Sequence, residues 1–206
     1  MSQQTATPVS AETPDSPVTL VGTDHVTLEG TDPAATIAFY RDLLGLPLVL
    51  EQPNLDRSHL THLYFDTGDG RLLTFFVHED RETVDLPDPD PGQVHHLAFR
   101  IEADRVAETY EALADAGKPV SEYDRGAFHA LYTEDHNGLT IELVADKFEI
   151  PDDCRGEVLA HAHGLRLEDG AEFVTSKHMV AALEALDIEV VENDVRPAAA
   201  GRDYAN

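Results

Sequence analysis

VHHLAFRIE, residues 94–102, and DHVTLEG, residues 24–30, decide the fold when one is laid on the other. A shift of 71 residues places His25 on His96, Leu28 on Phe99 and, further along, Phe39 on Tyr110. Each stretch alternates along its length, as a strand does when one of its faces is covered. Each is followed by a helical pattern that a glycine ends. Asp32 can cap the first of these, DPAATIAFYRDLLG (32–45), with Pro33 at its first position and Gly45 as its stop; ADRVAETYEALADAG (103–117) stops at Gly117.

Three more strand patterns follow each helix. They are LPLVLEQ, HLTHLYFDT and RLLTFFVHE in the first half, and PVSEYDR, HALYTED and LTIELVAD in the second. The turns GDG (68–70) and HNG (136–138) correspond, and an offset of 68 places Tyr64 on Tyr132, Leu73 on Ile141 and Thr74 on Glu142. The repeat predicts an α+β fold of two βαβββ modules related by a pseudo-twofold axis, each too small to bury its sheet well alone.

The expected organisation is a disordered N-terminal segment (1–17), a first module (18–84), a Pro- and Asp-rich linker (85–93), a second module (94–148) and a C-terminal helical extension (149–206). In the extension, residues 147–170 read as a connection and a helix. TSKHMVAALEALD reads as a helix capped by Thr175 or Ser176, and IEVVEND as a short strand.

Charge is the extreme property: 40 acidic against 14 basic residues, a formal −26. The excess is spread along the chain and not gathered in a tail, as in proteins of salt-accumulating halophiles, where counterions screen self-repulsion. Nucleic-acid binding is disfavoured, because phosphate contacts need clustered Lys and Arg. No apolar run reaches the roughly 18 residues of a membrane span and no signal-peptide pattern opens the chain, so a cytoplasmic location without membrane attachment is expected. Cys154 is the only cysteine, so a metal would have to use His, Asp, Glu or Tyr.

Alternation assigns the faces. Leu97, Phe99 and Ile101 cover the helix, which leaves His96 on the concave side with His25, its counterpart. Leu73 and Phe75 match Ile141 and Leu143, leaving Thr74 and Glu142 on the concave side. Glu142 sits in the apolar run LTIELV, where a carboxylate is costly unless paired, hydrogen-bonded or metal-bound. His25, His96 and Glu142 therefore form a candidate two-histidine, one-carboxylate metal set, with Thr74 vacating the fourth position. His62 and Tyr64 share the concave face; His62 is a candidate acid or base, while His78, His129 and His136 are expected at the surface or in turns.

Over residues 20–148 the chain resembles the vicinal oxygen chelate superfamily of glyoxalases, extradiol dioxygenases and bleomycin-resistance proteins. THLYFD, LLTFFV, VHHLAFRI and DRGAFHALYTEDHNGLTIEL are most similar to its ring-cleaving dioxygenases. The resemblance implies that the two modules form a curved, incomplete barrel around a metal site, with the metal ligands on His25, His96 and Glu142 and a catalytic tyrosine ten residues before the glutamate, where Tyr132 stands. The match departs at His136, where the signature has proline, and near Tyr123, where it has histidine. The resemblance implies a divalent metal, Fe(II) first and Mn(II), Ni(II) or Zn(II) as alternatives. It further implies a small catechol- or hydroquinone-like substrate, O2 as co-substrate, and a homodimer as one form of assembly. Thr74, Tyr64 and Arg125 are candidates for substrate contact, Arg125 toward an anionic group. Two other functions fit the same residues: a glyoxalase-like lyase or isomerase, and a metal-free module that binds a drug or metabolite.

Raising KCl from about 0.1 M to about 2 M should raise the thermal midpoint by screening like charges; a midpoint that is flat or falls with salt would contradict a salt-adapted surface.

Overall fold

The computed structural model describes residues 9–83 and 89–198. The expectations for residues 1–8, for most of the linker's first half and for the end of the chain from 199 lie outside the described residues. The first module consists of β1 (His25–Glu29), α1 (Pro33–Ile37), β2 (Leu48–Pro53), β3 (Thr61–Asp66) and β4 (Leu72–Val77). The second consists of β5 (His96–Arg100), α2 (Val106–Asp115), β6 (Ser121–Asp124), β7 (Phe128–Glu134) and β8 (Thr140–Asp146). Two four-stranded sheets result, ordered β1-β4-β3-β2 and β5-β8-β7-β6. In each, the first strand runs parallel to the last, and the other pairs are antiparallel. The α+β fold of two βαβββ modules is as expected. Both sheets stay open, with β1 and β5 at their edges and no ladder joining the two.

Local chemistry sets the helix ends. Asp32 accepts from the amides of Ala34 (2.7 Å) and Ala35 (3.2 Å), with Pro33 just inside. The helix then widens into a π-helical segment over Ala38–Leu43 before Gly45, at φ +79°, ends it. The wider turn sets Phe39 and Tyr40, both buried, beneath the first sheet. No signal in the 3.6-residue pattern distinguishes such a segment.

Phe39, Tyr40, Leu63, Phe65, Leu73 and Phe75 join Val106, Leu113, Leu131, Ile141 and Leu143 in one continuous core. A polar seam crosses between the modules beside it. The buried Tyr40 hydroxyl donates to Asp135 Oδ2 at 3.0 Å, and Thr31 donates to Asn137 Oδ1 through its amide (3.1 Å) and its hydroxyl (2.7 Å). Burial and then the Asp135 charge hold the Tyr40 phenol well above its ordinary pKa, so it stays a donor.

The extension folds as α3 (Arg155–Glu168) and α4 (Ser176–Ala185) around Phe148, Val158, Ala162, Met179, Ala182 and Leu183. Thr175 caps α4 in a box closed by His178, whose Nδ1 accepts from the Thr175 amide at 2.9 Å. IEVVEND forms no full strand: it contributes the isolated bridge Phe148↔Glu192, flanked by the backbone bonds of Glu149 to Val191 and of Asn193 to Lys147. Among the described residues no helix is long and apolar enough to cross a membrane.

Tyr40→Phe leaves the buried Asp135 one donor short and should cost about 1–3 kcal/mol in denaturant unfolding. Unchanged stability would mean that the seam does not couple the modules.

Candidate metal and substrate site

β8 builds the site because its alternation is strict. Ile141, Leu143 and Ala145 point into the core, so Glu142 must face the other way. Its cross-strand neighbours are Tyr132 on β7 and Ala98 on β5. Alanine leaves room there, and the diagonal residue His96 fills it. The Tyr132 hydroxyl donates to Glu142 Oε1 at 2.5 Å, and His96 Nε2 lies 3.0 Å from Oε2. The carboxylate is only 5 % exposed and has a polar partner on each oxygen.

Burial foremost, with the Glu142 hydrogen bond added, raises the Tyr132 phenol above its ordinary pKa; a hydrogen bond from Arg125 works in the opposite direction. The Arg125 guanidinium carbon stands 4.6 Å from the Tyr123 ring centre and 5.2 Å from that of Tyr132. His95 Nδ1 lies 2.8 Å from His96 Nδ1, so the doubled histidine consists of one residue on the carboxylate and one that orients it.

The first module presents a different face. Thr74 is buried, and its hydroxyl donates to Thr27 at 2.8 Å, its cross-strand neighbour. The position equivalent to Glu142 thus closes on itself. The His62 ring packs 4.0 Å from that of Tyr64 and 4.5 Å from that of Phe76, and its Nε2 is buried without a hydrogen-bond partner. Burial first and the nearby His25 second lower the His62 pKa, which keeps the ring neutral. His25 Nδ1 is 2.5 Å from Asp24 Oδ1. In the neutral ring this puts the proton on Nδ1 and leaves the Nε2 lone pair free.

The three expected ligands do not meet within one chain. His96 and Glu142 are in contact, but among the described residues no three His, Cys, Asp or Glu side chains stand close enough to hold one ion. His25 stands on β1 and His96 on β5, edge strands of separate sheets that no ladder joins.

Other residues differ from the sequence reading. His129, expected at the surface, is buried and paired with Glu122 at 2.8 Å. Sequence reasoning also missed Glu29, which Arg57 (2.7 Å) and Arg81 (2.6 Å) clamp beside Phe76. Phe76 shares the alternation of Thr74 and was legible, but Arg57 lies in a loop without periodicity. A cavity of about 1250 Å³ opens between the modules on the helix side, along Val26, Leu97, Phe99 and Leu143. None of His25, His96, Tyr132 or Glu142 lines it, so it is separate from this site.

Relatives carry the same architecture. Residues 22–143 match the model of the Glyoxalase/Bleomycin resistance protein/Dioxygenase superfamily. The chain is 28 % identical over 128 residues to MhqE of Bacillus subtilis (strain 168), named as a candidate ring-cleaving dioxygenase; the match covers 61 % of this chain and 41 % of MhqE. The chain therefore spans about two fifths of the curated relative it matches. Among solved structures, a candidate dioxygenase from Bacillus subtilis subsp. subtilis str. 168 superposes with a TM-score of 0.54 at 27 % identity, covering 60 % of this chain and 40 % of that one. A glyoxylase/bleomycin resistance protein/dioxygenase domain from Frankia sp. EAN1pec shares the fold at 19 % identity and a TM-score of 0.54, covering 62 % of this chain and 99 % of that one. With its two βαβββ modules and a family match over more than half its length, this chain belongs to the Glyoxalase/Bleomycin resistance protein/Dioxygenase superfamily.

Proposed function

We propose that the protein is a metal-dependent ring-cleaving dioxygenase of the extradiol type, acting on a catechol- or hydroquinone-like substrate, with each metal centre completed by a second copy of the chain. The observation that carries this reading is the buried Glu142 carboxylate facing His96 Nε2 at 3.0 Å. Two donors each about 2.1 Å from one ion, at a near right angle, lie about 3 Å apart, so the pair fits a shared divalent ion. His25, with Nδ1 held by Asp24, has a free lone pair of the kind a third ligand needs. The likeness to MhqE supports the ring-cleaving class.

A twofold dimer satisfies the remaining requirement. Laying the edge strand β1 of one copy beside β5 of the other would bring His25 of the first to His96 and Glu142 of the second, twice per dimer. It would also cover two sheet edges that are open in the single chain.

When bound, a divalent ion such as Fe(II) would supply a Lewis acid for two vicinal substrate oxygens and a path for electrons to O2. The chain's own residues do the rest. Tyr132 retains its proton and can donate it as a hydrogen bond to a substrate oxygen next to Glu142. His62, neutral and with an unpartnered Nε2, can accept a substrate hydroxyl proton. Tyr64 and Phe76 provide flat apolar surface for the ring, and Thr74, tied to Thr27, leaves it space.

Metal-loaded protein should consume O2 with catechols or hydroquinones; metal retention without O2 uptake would point to a lyase and overturn the ring-cleaving reading. His25→Ala and Glu142→Gln should each be inactive alone. After mixing and subunit exchange, the two should regain about a quarter of wild-type activity, because half of the dimers are mixed and each has one intact site. If the mixture stays inactive although exchange is demonstrated, the two-copy centre is wrong.

A further inference from the structure

Acidic residues outnumber basic ones by 40 to 14, so an arginine without an acid stands out. Among the described residues, every arginine except two has a carboxylate within ion-pair distance. Arg166 is one exception, and it donates to the carbonyls of Ala171 and Glu172. Arg125 is the other. It stands over Tyr123 and Tyr132, the latter bonded to Glu142, with no carboxylate partner among the described residues.

The turn that carries Arg125 is held from two sides. Within the module, the Gly126 amide donates to Asp124 Oδ1 at 2.8 Å, and the same oxygen receives Lys147 Nζ at 2.6 Å. From the extension, the Ser176 hydroxyl at the start of α4 donates to the Gly126 carbonyl at 2.9 Å. Gly126 has φ +79°, and a Cβ there would lie 2.8 Å from the Val174 carbonyl oxygen. The backbone next to the arginine is therefore pressed against the extension, at a distance only glycine allows.

We propose that Arg125 is a specificity-determining residue that reads a carboxylate on the aromatic substrate, and that the C-terminal helical hairpin positions it through Ser176 and Gly126. The proposal rests on the reading of this concave face as the substrate site. A guanidinium presents five donors in a planar fork that matches a carboxylate, so Arg125, resting on two tyrosine rings and hydrogen-bonded to Tyr132, keeps further donors for one. In a chain so acidic, an anionic substrate would otherwise be repelled, and one uncompensated arginine at the site gives it a landing point. The hairpin then has a role in selecting substrate although it contributes no group to the chemistry.

Equilibrium binding tests this without turnover. Full-length protein is titrated anaerobically with catechol and with 3,4-dihydroxybenzoate at one fixed ionic strength. The carboxylated ligand should bind about tenfold more tightly. Arg125→Gln should bring the ratio of the two affinities close to one, Ser176→Ala should reduce it severalfold, and Ser176→Thr, which keeps a hydroxyl donor, should restore it. Equal affinities for the two ligands in the wild type, or a preference that survives Arg125→Gln, would overturn the carboxylate reading. A ratio unmoved by Ser176→Ala would overturn the positioning role of the extension. Because binding is read directly, a retained preference in protein that consumes no O2 would sink the ring-cleaving reading and leave this one standing.

Discussion

Everything distinctive about this chain depends on one costly placement, a carboxylate in the middle of an apolar strand. Glu142 lies between Ile141 and Leu143, both packed in the core, and is itself nearly inaccessible. A buried charge persists only where its surroundings compensate it. Here three neighbours do so: Ala98 leaves the space, Tyr132 donates to one oxygen, and His96 meets the other. With Glu142 itself on β8, these residues take up three of the four strands of the second sheet, β5, β8 and β7.

The pseudo-twofold repeat makes the asymmetry of the two modules informative. The backbones correspond strand for strand, yet the position of Glu142 is taken in the first module by Thr74, which bonds to Thr27 and offers nothing outward. The first module presents instead a ring-lined surface of His62, Tyr64 and Phe76. One sheet thus carries the carboxylate and the other the aromatic surface, a division suited to holding a flat substrate between unlike faces. Within one chain the modules dock through the Tyr40–Asp135 and Thr31–Asn137 hydrogen bonds; in the proposed dimer the two faces meet across copies.

The fold was legible because alternation and repetition are local signals. Eight strands and two module helices follow from where apolar residues recur and where glycine interrupts them, and the direction of Glu142 follows from its neighbours Ile141 and Leu143 alone. The contact of His96 with Glu142 and Tyr132 was legible for the same reason, since register follows once the faces are known. What escaped depends on long-range packing. The separation of His25 from the other pair reflects how the modules dock, through residues about a hundred positions apart such as Thr36 and His136. The burial of His129 requires Glu122 on the adjacent strand as its partner, and no periodicity shows that pairing. The hold of the extension on the Arg125 turn joins Gly126 to Ser176, fifty residues on, through a single hydrogen bond.

On the proposed function, Glu142 is buried to hold a metal ion together with His96. The most direct test is the metal content of protein purified in high salt and equilibrated anaerobically with Fe(II) or Mn(II), then desalted, for the wild type beside Glu142→Gln, which keeps the side chain's shape and removes its charge. Close to one ion per chain is expected in the wild type and almost none in the variant, with both proteins equally folded. Equal metal content in the two proteins, or none in either, would contradict it.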